Sequence, residues 1–113
     1  MMRTYLIISV FLLSSFQNPD QDKPVRWRKL RTKDQVRAVI DRKISHAALL
    51  KDVEKNLQKE RHDFLAVSGD SLLEFISPGE PAAFLISRKW MFRFHFRHDS
   101  LQYYTVNEAL TGP

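Results

Sequence analysis

Apolar residues first recur with a clear period between positions 36 and 57. Val36, Ile40, Ile44, Ala47 and Leu50 form a stripe at helical spacing, Val53 and Leu57 extend it, and Lys and Glu fill the opposite side. Ahead of the stripe, Thr32-Lys33-Asp34-Gln35 has the form of a capping box, in which Thr32 accepts from the Gln35 amide and Gln35 reaches back. The spacing predicts a helix over 33–60, continuous or broken into two near Ser45-His46.

The period then shortens to two. "DFLAV" (63–67) and "LLEFI" (72–76) are short apolar runs joined by "SGDS", which is turn chemistry. "SPGE" (77–80) suits a turn with Pro78 first and Gly79 at positive φ. "AAFLIS" follows, and then Trp90, Phe92, Phe94 and Phe96 alternate with Met91, Arg93, His95 and Arg97. That alternation predicts an antiparallel strand with one buried face. "HDS" (98–100) turns the chain and "LQYYTV" (101–106) returns beside it.

The helix stripe and the aromatic strand face need each other for burial. The expected fold is therefore α+β in two layers, a helical segment packed on an antiparallel β-meander of three to five strands. It occupies 32–106, between a basic polar linker at 18–31 and a loose tail at 107–113. At 113 residues there is room for one small domain.

The N-terminal residues have a different pattern. Arg3, the apolar run Tyr5–Leu13 and then Ser14 and Ser15 have the layout of a secretory signal peptide over 1–17. An uncleaved anchor is the alternative, although a span needs about 20 apolar residues. Basic residues soon after such a run tend to stay cytoplasmic, and Lys23 to Lys33 fall within that distance.

Charge sharpens this picture. The net charge is +5, but residues 23–43 hold nine Lys/Arg against Asp34 and Asp41, a local +7. Residues 44–113 hold eight against nine, or −1. The basicity thus belongs to one segment. Within it Arg26, Trp27, Arg28, Lys29, Arg31 and Lys33 combine cations with an aromatic, a pattern suited to anionic lipid or an acidic partner. A flexible basic linker that binds nothing in particular would look the same.

Other chemistry is sparse. With no cysteine there is no disulfide scaffold, thiolate metal site, Cys nucleophile or lipid-modified Cys. Arg93, His95 and Arg97 share the outward face of the aromatic strand, as a partner-binding face or as a solvated one that discourages edge pairing. His95 and His98 fall on opposite strand faces and two Arg flank the former, so no metal site is expected. No nucleophile elbow surrounds Ser68 or Ser71 beside His62-Asp63 and no phosphate loop exists, while Asp70, Glu74 and Glu80 could pair as carboxylates or simply be solvated turn acids. The expectation is no catalytic residue and no cofactor.

Residues Trp90–Pro113 resemble the end of a diffuse group of small exported bacterial proteins. The matching positions are Phe92, Phe94 and Phe96, then Asp99, Leu101, Tyr104 and Val106, and the closing Thr111 to Pro113. In outline the chain is similar to SmpA/OmlA-type envelope proteins and to beta-lactamase-inhibitor-like domains. That resemblance implies helices packed on an antiparallel sheet and an envelope location, periplasmic or secreted; it implies no activity. The sequence therefore leads to a non-enzymatic exported module that binds a protein or a membrane surface. An N-terminally anchored structural protein and a cytoplasmic nucleic-acid binder are the alternatives, the latter on account of a pI near 9.7.

Overall fold

The aromatic strand organises the molecule. In the computed structural model, which describes residues 23–112, five antiparallel strands form one curled sheet: β1 (Phe64–Ser68), β2 (Leu72–Ile76), β3 (Glu80–Ala83), β4 (Ile86–Arg97) and β5 (Ser100–Thr111). One edge of β4 is shared, with β2 beside Met91–His95 and β3 beside Ile86–Arg88. At Trp90, where these two partners part, the buried Ser77 hydroxyl accepts from the Trp90 amide at 2.8 Å. The other edge of β4 pairs with β5 along its length. The expected leader or anchor at 1–17 lies outside the described residues.

Register places the alternating residues as the pattern requires. Phe92 stands opposite Phe75 and Val106, and Phe94 opposite Leu73 and Tyr104, so these side chains share one face. Two helices cover that face: α1 (Lys33–Lys43), contributing buried Val36 and Ile40, and α2 (Leu50–Gln58), contributing Leu50, Val53 and Leu57. The two-layer α+β arrangement is the one the periodicity predicts.

The capping box is present: the Gln35 amide donates to Thr32 Oγ1 at 3.2 Å and the Thr32 amide to Gln35 Oε1 at 3.2 Å. Of the two helical alternatives, the broken one is realised. Ala47 leaves the stripe, being exposed at φ 59° in the loop between the helices. That loop is stitched to the start of β5 by Leu50 N–H to the Asp99 carbonyl at 3.1 Å and Leu101 N–H to the Ala48 carbonyl at 2.8 Å.

Three expectations need correction. Residues 18–31 are not simply a linker, because Trp27 opens a single 3₁₀ turn (Trp27–Lys29) and is buried in the core. Residues 107–111 of the expected loose tail are strand, because β5 continues to Thr111 opposite Ser87. Gly79 does not take a positive φ; among the glycines described that conformation belongs to Gly69 (φ 61°), in the β1–β2 turn. Within "AAFLIS", to which the pattern assigns no element, the chain reverses at Phe84-Leu85 between the end of β3 and the start of β4. The turn after β4 behaves as predicted: His98 and Asp99 both take positive φ (52° and 66°) in a two-residue connection, a type I′ hairpin.

Candidate functional site

Trp27 fixes where the basic segment lies. Its ring packs 5.7 Å from Phe75 and 6.0 Å from Phe92, so residues on either side of it are held against the domain. A second fastening comes from Glu60, whose carboxylate accepts from the Val25 amide at 2.8 Å and pairs with Lys43 at 2.7 Å. Both members of that pair are buried, and Lys43 also donates to the Lys23 carbonyl at 3.1 Å. The segment 23–30 is thereby laid along α1.

Between the two runs a groove of about 590 Å³. Val25, Leu30 and Val39 give it apolar walls, Lys23, Arg26, Lys29 and Arg42 bring four cations to it, and no acidic side chain lines it. Lys43 also reaches the groove, but its charge is matched by Glu60. Arg26 and Lys29 are thus brought together as the sequence pattern suggests. Arg28, Arg31 and Lys33 are exposed but line other surface.

Trp27 is the exception among the six. It faces the core, not the surroundings, because Phe75 and Phe92 offer it a larger apolar contact than solvent allows. Lys23 and Arg42 were not among the expected residues. Arg42 sits in the last turn of α1, three positions after Val39, so both reach the same helix face.

The outward face of β4 carries Arg93, His95 and Arg97 as expected, but they do not converge. Arg93 reaches Glu74 across the sheet at 3.2 Å. His95 stacks on Tyr103 at 4.4 Å with an 11° tilt. Arg97 is exposed beside the hairpin turn.

A smaller cleft of about 390 Å³ lies between α1, the interhelical loop and β5. There the Tyr104 hydroxyl donates to Asp41 Oδ1 at 2.6 Å and the Arg37 guanidinium sits 5.3 Å from the ring centre. Burial first, and the Asp41 carboxylate second, push the phenol well above the usual tyrosine range. A phenol held protonated in this way is neither a base nor a nucleophile at neutral pH; it ties α1 to β5.

Tyr104→Phe is therefore expected to cost about 1 kcal/mol at neutral pH. The folded state favours the neutral phenol, so that stabilisation is complete below about pH 10 and is lost as pH rises towards the folded value. Denaturant midpoints at about pH 9 and about pH 11 should converge for wild type and variant as pH rises. A constant gap between the two proteins would refute it.

His62 and Asp63 form no relay: the His62 Nδ1 meets the Glu60 carbonyl at 2.7 Å, while Asp63 pairs with Lys89 at 2.6 Å. Among the described residues no group of three or more His, Cys, Asp or Glu is placed to hold a metal ion. No helix among them is long and apolar enough to cross a membrane. The chain matches no protein-family model, no curated protein and no solved structure.

Proposed function

We propose that this chain is a non-enzymatic interaction module of the cell envelope that docks on an anionic membrane surface through the basic groove. The observation that carries the reading is the groove itself, in which four cations surround apolar walls with no acid among the lining residues. An amphiphilic anion fits both features at once. Near an anionic surface each Lys or Arg adds about 1 kcal/mol. The leader-like run Tyr5–Leu13 and the resemblance of Trp90–Pro113 to small exported proteins support the compartment.

The nucleic-acid alternative has less support. Single-strand binders need aromatic faces free to stack on bases, and here Phe92, Phe94 and Phe96 are buried beneath the helices.

The test is flotation of the full chain with phosphatidylcholine vesicles, with and without phosphatidylglycerol. Wild type is expected to float with the anionic vesicles and to release as salt rises. The triple variant Arg26→Glu, Lys29→Glu, Arg42→Glu should bind at least about 100-fold more weakly at low salt. Every variant keeps residues 1–22, whose own contribution is read on the neutral vesicles; an equal gain for variant and wild type on adding phosphatidylglycerol would refute the groove. Binding to an oligonucleotide with a steep salt slope, and not to vesicles, would favour the alternative.

A further inference from the structure

The three most exposed large apolar side chains among the described residues lie at one end of the sheet. Phe84 is 88% exposed, Leu85 63% and Leu110 58%. Phe84 and Leu85 form the β3–β4 turn, and Leu110 stands opposite Arg88, near that turn. Gly112 closes the group, lying against Ile86 and the Leu85 carbonyl.

Leu85 holds φ 61°, a left-handed conformation disfavoured for a leucine and free for a glycine. Two large apolar residues thus occupy a turn that Gly, Asn or Asp would fill at lower conformational cost, and they gain little burial there. Nothing among the described residues compensates them.

We propose that this turn is the part of the molecule that enters the bilayer. The inference rests on the membrane-docking reading above and adds to it the element that inserts. Three observations select a bilayer over other occupants. No charged residue occurs from Pro81 to Ser87, so the turn itself is free of the charge that lipid rejects, and the nearest acid, Glu80, stands opposite Arg88. The 3₁₀ turn that carries Arg28 and Lys29 packs beside β3, which sets cations behind the apolar end. Finally, a stable protein interface needs about 800 Å² from each partner, far more than three side chains on a narrow ribbon provide. A bilayer interface has no such minimum area and rewards each inserted side chain singly.

The test uses the same vesicles and the full chain. In the double variant Phe84→Ser, Leu85→Gly, the glycine accepts the left-handed φ, so folding is not impaired. Its partition onto anionic vesicles should fall by about 10-fold or more, while the salt-sensitive part contributed by the groove remains. Separately, Phe84→Trp places an indole at the tip, and its emission should shift to the blue on anionic vesicles and be quenched by brominated acyl chains.

Equal partition of the double variant and wild type overturns the inference and leaves the docking reading intact. Weakened partition without a blue shift also overturns it, because the side chain would then never leave water. Failure of wild type itself to float removes both.

Discussion

Trp27→Ala is expected to destabilise the protein by about 3–5 kcal/mol, the usual cost of truncating a buried aromatic to alanine. A small domain has a total stability of about 5–15 kcal/mol, so a loss of that size endangers the fold. The physical reason is the position of the ring. It closes an aromatic cluster with Phe75 and Phe92, which themselves stand 5.7 Å apart on neighbouring strands. No second side chain from residues 23–31 is buried as deeply, so removing it also frees the basic segment from the sheet. Denaturant unfolding should report the stability loss, and limited trypsin digestion should report faster cleavage at Arg26, Arg28 and Lys29. Trp27→Phe is the control. Among the described residues the indole Nε1 has no acceptor, so a phenyl ring keeps the packing and removes an orphaned donor, for a much smaller loss. If Trp27→Ala left both stability and trypsin sensitivity unchanged, the segment could not be held as described.

Glu60→Ala should have a comparable effect for a different reason. Its carboxylate satisfies two groups at once, the Lys43 ammonium and the Val25 amide. Removing it breaks a buried ion pair from one side, which typically costs about 3–5 kcal/mol. Glu60→Gln keeps an acceptor for Val25 and should lose less. Lys43→Met in the Glu60→Ala background should restore part of the stability, since the buried ammonium is then gone, and a double-mutant cycle would read the coupling. Strict additivity of the two single changes would show that the pair is not coupled. Since Val25 and Lys23 are tied to this pair, Glu60→Ala should also weaken vesicle binding with all four groove cations still present.

The contrast between these residues shows what periodicity can and cannot convey. Val36, Ile40, Val53, Leu57 and the Trp90–Phe96 alternation were legible because each element buries one face, and burial of one face imposes a period. The break between the helices was legible only as an alternative, since its cause is the pairing of Ala48 and Leu49 with the start of β5, far along the chain. Trp27 reads as a surface aromatic because six Lys or Arg stand within six positions of it; its burial depends on Phe75 and Phe92, which no local pattern announces. Phe84-Leu85 hid a reversal because neither residue has turn chemistry. Asn107–Thr111 looked like a tail because its apolar residues do not alternate; what holds it is backbone pairing to Ser87–Met91. Of the groove, the cations were visible and their convergence was not. That required Lys23 and Arg42, 19 positions apart, to be drawn together by a buried ion pair.

The order of elements along the chain has a consequence for how this protein comes to be folded. The helices are made before the sheet that covers their apolar stripes, and the central strand β4, to which β2, β3 and β5 all pair, comes almost last. In a nascent chain leaving the ribosome α2 can meet β1 and β2 early, but α1, which packs on β5, waits until Ser100–Thr111 has emerged. The tight β4–β5 hairpin can then form locally and offer its aromatic face, after which the distant segments close onto it at a larger entropic cost. Folding of this kind belongs to the completed polypeptide and not to its growing form. Until β4 is made the sheet lacks the strand that joins its two sides, and the core cannot close.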